Sequence, residues 1–430
     1  MPIPTYLARC IDPALFRPYA ERHDDKIFDT YVKITRDEDL TRDSYAFGAP
    51  FRHGGLGFRA LALTSPAAYF ASLINAASVL AEWDPGSIEA IGWATDHADF
   101  DPGQEHLPDF EGLPGKLVRA WQAASRDHQP VGVMPDSPLD MLLGLGSGDI
   151  NTKKLQSKLT KARELVEAAT AKDTMTPTER ARTFAHSISG SSSLHTSAPT
   201  SYISLKAYLQ NSKIRVGSHV DSSQVCVCGN ACIGLSHVMS CPVLSGKFIR
   251  HDTIVELIRN MCKRAGLVAR TEVKVVDGTS KRMDVVVYRG HQVFWFDISI
   301  VNPEAASYLN KDAIKTREQV KRGRWERHAT ALGHIFLPFV LNPHGGLGPG
   351  ANSILAFIAN AAAANHPYQI AVKDGSWKRV HKAQAVQKVA AVLAHTVEIS
   401  LQEAHIRSQG FSARAILQGL HRVASVDEYM

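Results

Sequence analysis

The spacing of hydrophobic and polar residues predicts alternating helices and strands in the second half of the chain. Apolar residues recur at helical intervals over about 247–265 and stop at Gly266, which is typical of a helix end. Three runs rich in β-branched and aromatic residues follow, separated by turn residues. These predicted strands cover 271–276, 284–288 and 293–301.

Another strand and three helices complete the predicted second half. A polar segment at about 304–332 is predicted to be helical, and 334–341 is typical of a buried strand. Two more helices are predicted at 353–364 and 382–404. The core order is therefore α-β-β-β-α-β, and the expected fold class is α/β (α+β) overall with a helical N-terminal half.

The first half is predicted to be mostly helical. Pro66 occupies the expected start of a helix whose apolar residues follow at helical spacing. Lys/Glu-rich sequence near 153–171 predicts another helix, and Thr176 with Glu179 predicts a capping box at the start of the next. The serine-rich stretch 189–193 is expected to be a flexible joint.

Charge points to a polyanionic partner. The net charge is +6, and the segment 247–327 holds 17 Lys/Arg against 10 Asp/Glu, so the basic excess is concentrated there. Such an excess suits DNA or RNA, although a solvated basic face is the alternative. The glycine turn at 54–57 lacks the G-x-G-x-x-G spacing, so no small-molecule cofactor is indicated.

Other features of the sequence predict an intracellular protein without a membrane partner. No run of about 18 uncharged apolar residues exists, so no membrane span is expected. The first residues lack the basic start and apolar stretch of a signal peptide. Six cysteines are too few for a disulfide scaffold, and four of them cluster between positions 226 and 241.

The cysteine cluster has the spacing of a zinc site. The pattern C-x-C-x8-H-x3-C is formed by Cys226, Cys228, His237 and Cys241. Zinc prefers four such donors in a tetrahedron, and a turn at Gly229 would bring the two pairs together. Cys232 is a further thiol that could replace one ligand. The sequence predicts a structural zinc knuckle, with buried or free cysteines beside a chance histidine as the alternative.

Two aspartates are predicted to face each other across a hairpin. With the turn centred near Gly290, paired positions sum to about 580–581, which places Asp284 opposite residue 296 or 297. Two opposed carboxylates repel each other in an otherwise apolar hairpin. A divalent cation removes that cost, and ligation by oxygen alone favours Mg²⁺. The alternative is that Asp284 and Asp297 lie at solvent-facing strand ends.

Short motifs along the chain resemble those of one family, in the same order. The core order α-β-β-β-α-β is also that of PD-(D/E)xK nucleases. The motifs are Cys226-Val227-Cys228-Gly229, His237-Val238-Met239-Ser240-Cys241-Pro242, Arg250-His251-Asp252, Arg282-Met283-Asp284, Phe296-Asp297-Ile298-Ser299-Ile300, Pro303-Glu304-Ala305-Ala306-Ser307-Tyr308-Leu309, Arg317-Glu318-Gln319-Val320-Lys321 and Gly345-Gly346-Leu347-Gly348-Pro349. They resemble the C-terminal region of a non-LTR retrotransposon reverse transcriptase polyprotein, with its post-polymerase helices, CCHC zinc knuckle and restriction-like endonuclease.

The resemblance implies a role for each matching acidic residue. Asp284 corresponds to the aspartate of the PD element, although Met283 stands where proline is usual. Asp297 corresponds to the second acidic ligand. Glu272, one strand earlier, could be a third carboxylate, and a solvent-facing strand residue is the alternative.

Basic and aromatic residues also receive roles from the resemblance. Ser299 stands where the lysine of D-x-K is usual, so a lysine on the following helix is expected to substitute. Lys321 fits best, with Lys311 and Lys315 as rivals. The expected nucleic-acid contacts are Arg282, Arg317, Arg324 and Trp325.

The resemblance and the patterns together divide the chain into five segments. They are a helical region at 1–140, a helical and flexible connector at 145–200, a zinc knuckle at 224–243, a restriction-like endonuclease core at 247–349 and a helical extension at 350–430. The implied location is nuclear.

The implied activity is target-site nicking of DNA by a Mg²⁺-dependent endonuclease, leaving a 5′-phosphate and a 3′-hydroxyl. No Tyr-x-Asp-Asp motif occurs, so reverse transcription is not expected of this polypeptide alone. Two alternatives remain open at this stage. One is a catalytically inactive, nucleic-acid-binding remnant of a retroelement, and the other is a zinc-stabilised protein-interaction module.

Overall fold

A computed structural model describes residues 3–83, 154–193, 203–218, 226, 228–229, 235–275, 280–365 and 376–408. Over these residues the chain is mixed α/β, with twelve α-helices and one four-stranded sheet. None of the described helices combines the length and the apolar character that crossing a lipid bilayer requires. The predicted features at 84–153, 194–200, 277–279 and 409–430, and the spare thiol Cys232, lie outside the described residues.

The chain divides into two compact units. The first consists of residues 1–50 and 57–174, and the second of residues 51–56 and 175–430. The described elements of the first unit are five helices: α1 (Ile3–Cys10), α2 (Pro13–Thr35), α3 (Tyr45–Gly48), α4 (Leu61–Trp83) and α5 (Leu155–Thr174). The predicted helical character of this region is therefore confirmed where the structure describes it.

Helix α4 begins one turn earlier than predicted. The expected start at Pro66 is wrong, because the helix already begins at Leu61. The carboxylate of Asp24 accepts hydrogen bonds from the backbone N–H groups of Leu61 and Ala62, at 2.9 and 3.0 Å. This distant side chain satisfies the free amides of the first turn, a contact that the local sequence does not reveal.

The second unit contains the predicted α-β-β-β-α-β order. Its elements are a 3₁₀ turn (Phe51–His53), α6 (Pro177–Ser187), α7 (Leu205–Val216), α8 (Leu235–Ser240), α9 (Gly246–Arg264), β1 (Val268–Lys274), β2 (Arg282–Arg289), β3 (Gln292–Ile300), α10 (Ala313–Ala331), β4 (Ile335–Leu341), α11 (Pro349–Ala364) and α12 (Ser376–Ser408). Elements α9 to β4 follow the predicted order. Whether this core is of the nuclease type stays a prediction.

The sheet has the strand order β1-β2-β3-β4. Strands β1, β2 and β3 are antiparallel neighbours, whereas β4 runs parallel to β3. Helix α10 is the crossover between β3 and β4, as a parallel pair requires. The sheet therefore combines a meander with one β-α-β unit.

Helices cover both faces of the sheet. Helix α10 packs on one face through Trp325 and Ala329, which meet Trp295 and Phe336. Helices α9, α11 and α12 form the larger core with the other face. Burial of these apolar side chains at about 25 cal/mol per Å² is the main force that holds the layers together.

Helix α10 is shorter at its N-terminus than the predicted helix at 304–332. The structure shows turns up to Asp312, whose side chain caps the helix by accepting a hydrogen bond from the Lys315 amide at 3.0 Å. Asn310 has φ of 65°, a left-handed conformation that a right-handed helix cannot contain. The prediction for 304–312 is therefore wrong, because the left-handed Asn310 interrupts the helical backbone and the helix begins only after the Asp312 cap.

The serine-rich stretch is a packed turn. The capping box at Thr176 and Glu179 is confirmed. The flexible joint expected at 189–193 is contradicted, because the Leu347 amide donates to the Ser189 carbonyl at 2.9 Å and Arg215 Nη1 donates to the Ser191 carbonyl at 3.0 Å. These two bonds tie the turn to the rest of the second unit.

The C-terminal helices belong to the core. Helices α11 and α12 supply buried residues such as Ile354 and Leu393 to the main cluster, so the described part of the helical extension predicted at 350–430 packs into the core. Glu318 of α10 accepts a hydrogen bond from the Gly350 amide at the start of α11, at 2.9 Å. A Cβ at Gly350 would overlap the carbonyl oxygen of Pro338, which explains the glycine here.

Candidate functional site

The predicted metal ligands lie together. The side-chain donor atoms of Cys226, Cys228, His237 and Cys241 all lie within 4.8 Å of one another. The sulfur atoms of Cys226 and Cys241 are 3.9 Å apart, and Cys228 Sγ is 3.6 Å from His237 Nε2. This Cys3His cluster could hold a metal such as zinc, which takes three thiolates and one imidazole in structural sites. Among the described residues, no other group of three or more such donors is this close.

The cluster is anchored to the core of its unit. Cys226 and Cys241 pack with Val397 and Leu401 of α12. Arg250 of α9 is 1% exposed, and its guanidinium donates to the carbonyl oxygens of Val238 and Met239 in α8. It also donates to Ser400 Oγ of α12 at 2.6 Å. Arg250 therefore joins α8, the short helix that carries His237, to α9 and α12.

The two predicted aspartates are opposed across β2 and β3. Val285 pairs with Phe296, so paired positions sum to 581 and one further step places Asp284 opposite Asp297. This agrees with the predicted register. Phe296 and Val285 are completely buried, whereas Asp284 marks the point where regular pairing of the two strands ends.

At that point the Asp284 side chain, rather than a backbone carbonyl of β2, accepts the hydrogen bond of a β3 amide. Its Oδ2 atom accepts a hydrogen bond from the Ile298 amide at 2.6 Å. The same oxygen lies 3.3 Å from His251 Nε2 on helix α9. The carboxylate is thus held between the separating strands and the helix that covers them.

Both oxygens of Asp297 are bound from helix α10. Lys321 Nζ donates to Oδ1 and Trp325 Nε1 donates to Oδ2, each at 2.7 Å. The Lys321 and Asp297 side chains are only 12% and 9% exposed, so this ion pair is largely removed from water. Of the three candidate lysines, Lys321 is the one that meets an aspartate. Within the described part of the chain, the ammonium groups of Lys311 and Lys315 form no ion pair with an aspartate, and Lys315 contacts Asp312 only through its backbone amide.

The two carboxyl groups have opposite pKa shifts. Burial raises the pKa of Asp297 above its ordinary value and the charge of Asp284 adds to this, while the Lys321 ammonium opposes both. Burial also acts to raise the pKa of Asp284, but hydrogen bonds from His251 and the Ile298 amide hold it below its ordinary value. Two neighbouring acids with separated pKa values are typical of sites that do chemistry.

His251 is a site residue to which the sequence assigned no role. The hydrogen bond with Asp284 is the largest cause that raises the pKa of His251 to about 9. Its Nδ1 atom lies 3.0 Å from Asp252 Oδ1. His251 follows Arg250 within one of the quoted motifs, but only the fold brings it to Asp284, which is 33 positions away.

Glu272 lies in the same row of the sheet. The neighbouring pairs of β1 and β2 place it opposite Asp284. Its φ of 55° is uncommon for a residue with a side chain, and such backbone strain is frequent at functional sites. The Glu272 side chain is exposed and makes no hydrogen bond or ion pair with another described residue. Its role as a third carboxylate stays a prediction.

One predicted nucleic-acid contact is contradicted. Trp325 is 3% exposed, because its ring is packed against Trp295 and Met283 and its N–H is bound to Asp297. A base cannot reach a ring in this position. Trp325 instead positions the candidate carboxylate.

The predicted basic contacts remain accessible. Arg282 and Arg324 are exposed, and the guanidinium of Arg324 lies 5.1 Å from the centre of the Trp325 ring. Arg317 is partly buried and its Nε donates to Ser299 Oγ at 2.9 Å. Contact of these arginines with nucleic acid stays a prediction.

Comparison with known proteins identifies no relative. A scan against models of protein families finds no match for this chain, and a search of curated proteins finds none either. The resemblance to retrotransposon proteins therefore rests on the quoted motifs and stays a prediction.

Proposed function

We propose that this chain is a Mg²⁺-dependent endonuclease that nicks DNA and carries a zinc knuckle for nucleic-acid binding. The observation that carries the proposal is the opposed pair of Asp284 and Asp297, with the ammonium of Lys321 on Asp297. A largely buried acidic pair beside a lysine is a group of side chains suited to phosphodiester hydrolysis.

The carboxylate pair fits a small oxygen-binding cation. Burial, and to a smaller extent the charge of Asp284, raise the pKa of Asp297 and so disfavour its ionised form, and a bound cation would remove that penalty. Mg²⁺ in nucleic-acid enzymes is commonly bound by one or two carboxylates, with water and phosphate oxygens as its other ligands. Asp284 and Asp297 would provide those protein ligands.

The charge around the pair suits a phosphodiester. His251 and Lys321 contact the two aspartates, and Arg317 binds Ser299, two residues from Asp297 on β3. His251 is protonated at neutral pH, as its pKa of about 9 implies, and it also contacts Asp252. Once a cation has neutralised the carboxylates, these basic groups would attract a polyanion.

Hydrolysis of the DNA strand consumes one water molecule. The water oxygen forms a bond to phosphorus while the bond between phosphorus and the 3′-oxygen breaks. One water proton passes to a solvent base and the 3′-oxygen takes a proton from solvent, which leaves a 5′-phosphate and a 3′-hydroxyl. Bound Mg²⁺ would lower the pKa of the attacking water. Lys321 would stabilise the negative charge that develops on the phosphate.

The test is nicking of supercoiled plasmid by the full chain in the presence of Mg²⁺. We expect wild type to convert supercoiled plasmid to the open circular form, and D284N and D297N to lose at least about 100-fold in rate. Because the products are a 5′-phosphate and a 3′-hydroxyl, DNA ligase should reseal the nicks without prior kinase treatment. Zinc-replete, folded wild-type protein that does not nick plasmid would refute the proposal.

A matched control separates charge at the site from general charge effects. D173N removes an exposed carboxylate of α5 in the first unit and should leave nicking unchanged. Circular dichroism of each variant verifies that the fold is retained.

The second candidate is a catalytically inactive protein that binds nucleic acid. It is favoured by the hydrogen bonds of Asp297, because Lys321 and Trp325 already bind both of its carboxylate oxygens. Salt-dependent binding of duplex DNA without nicking, and with no effect of Mg²⁺ on thermal stability, would favour this candidate.

A further inference from the structure

Helix α10 directs two cationic side chains at neighbouring positions of β3. Arg317 and Lys321 are four residues apart, so they lie on one side of the helix. Asp297 and Ser299 are two residues apart and lie on one face of the strand. Lys321 binds Asp297, and Arg317 binds Ser299.

The hydrogen bond to Ser299 orients the Arg317 guanidinium. Arg317 Nε donates to Ser299 Oγ at 2.9 Å, and Ser299 is only 7% exposed, so the acceptor is fixed in the core. This contact uses Nε and leaves Nη1 and Nη2 as donors. No carboxylate among the described residues pairs with Arg317.

The lack of an acidic partner distinguishes Arg317 from Arg322, another arginine of α10. Arg322 Nη1 forms an ion pair with Glu326 Oε1 at 3.0 Å, one turn away on the outer side of the helix. A partly buried guanidinium without an anion carries an uncompensated desolvation penalty. An anion bound to the Arg317 guanidinium would remove that penalty.

We infer that Arg317 binds the scissile phosphate of the DNA strand and that Ser299 positions it for this task. The inference rests on the proposed endonuclease function. The planar guanidinium can donate from Nη1 and Nη2 to both non-bridging oxygens of one phosphate, a geometry that an ammonium group cannot reproduce. As water attacks and the bond to the 3′-oxygen breaks, negative charge increases on those oxygens. Arg317 stabilises it without exchanging a proton.

The experiment uses the full, zinc-replete chain and compares R317K, R317A and S299A with R322K. R317K keeps the positive charge but loses the paired donors, and R322K makes the same change at the arginine already paired with Glu326. Two quantities are measured: the single-turnover nicking rate with Mg²⁺, and the affinity for a duplex oligonucleotide with Ca²⁺ in place of Mg²⁺.

We expect R317K to nick about 30-fold and R317A about 100-fold more slowly than wild type, with affinity changed by no more than about threefold. S299A should fall between R317K and wild type, and R322K should equal wild type. Guanidinium ion added to R317A should restore part of the rate, which a purely structural role for Arg317 would not allow.

Each outcome decides the inference. If R317K and R317A nick as fast as R322K in a wild-type background that is active, Arg317 does not bind the scissile phosphate, although the endonuclease proposal stands. If rate and affinity fall together and guanidinium does not restore the rate, Arg317 is a general DNA contact and the inference is wrong. If folded wild-type protein does not nick, the proposed function and this inference both fail.

Discussion

Replacing Trp325 with phenylalanine tests whether its indole N–H stabilises the ionised carboxylate of Asp297. The bond between Trp325 Nε1 and Asp297 Oδ2 is 2.7 Å long. Taken as whole residues, Trp325 is 3% exposed and Asp297 is 7% exposed. Phenylalanine keeps most of the packing but leaves one buried carboxylate oxygen without its donor. A hydrogen bond to a charged group contributes about 1.5–3 kcal/mol, and the smaller ring costs about 1–2 kcal/mol more. We therefore expect W325F to lose about 3–4 kcal/mol of the free energy of unfolding at neutral pH.

Trp295 provides the matched control. It lies in the same hydrophobic cluster as Trp325 and is 2% exposed, but no contact between its indole nitrogen and an aspartate is seen in the described residues. W295F should therefore cost only the packing loss, about 1–2 kcal/mol.

The stabilisation from the Trp325–Asp297 hydrogen bond should decrease as the pH falls. The Trp325 bond favours the ionised form of Asp297, so its contribution is present above the pKa of that carboxyl and is lost as the pH falls through it. Burial and Asp284 hold this pKa above the ordinary value of 3.8, so the loss begins at higher pH than for an exposed aspartate. Urea unfolding followed by circular dichroism measures both variants at neutral and acid pH. Equal losses for W325F and W295F at neutral pH would refute the reasoning.

Three further measurements probe neighbouring features. The pKa of His251 is raised from 6.5 to about 9, so its contribution to stability is fully present below about pH 6.5 and is lost as the pH rises through 9. The fall in the free energy of unfolding over that interval should be smaller in H251Q than in wild type. Parallel curves of unfolding free energy against pH for the two proteins would contradict this. C228S should lose bound zinc, measured by mass spectrometry, and destabilise the second unit by at least about 3 kcal/mol, whereas C10S should retain the metal. R250M leaves two α8 carbonyls without their donor and should lower the free energy of unfolding by about 3 kcal/mol. The control R259M, at a more exposed arginine, should lower it by less than about 0.5 kcal/mol. Similar losses for the two variants in urea unfolding would exclude the proposed role of Arg250.

Local sequence was sufficient to predict the position of the acidic pair. Arg289 pairs with Gln292, so Gly290 and its neighbour form a two-residue hairpin turn, in which Gly290 adopts φ of 57°. A turn of this length fixes the register of the whole hairpin. The relation between Asp284 and Asp297 therefore depends on residues that are close in the sequence.

The environment of that pair depends on distant elements and could not be predicted. Trp325 lies in a helix whose composition is mainly polar, so no hydrophobic periodicity marks it as buried. Its burial results from the crossover that lays α10 on Trp295 and Phe336. His251 likewise reaches Asp284 only because α9 packs on the opposite face of the sheet. Tertiary packing, rather than local pattern, selected these partners.

The sequence neighbours Arg250 and His251 connect two parts of the molecule that separate domains would keep independent. Arg250 binds two carbonyl groups of α8, the helix that carries the candidate ligand His237, and the next residue, His251, lies within hydrogen-bond distance of Asp284. We therefore expect a rotation of that helix to displace His251 as well, because only one peptide unit separates the two contacts. Under the proposed function, loss of a metal from the Cys3His cluster would therefore also disturb the acidic pair. Moving either the Cys3His cluster or the acidic pair alone into another protein would remove the contacts of Arg250 and His251 that join them.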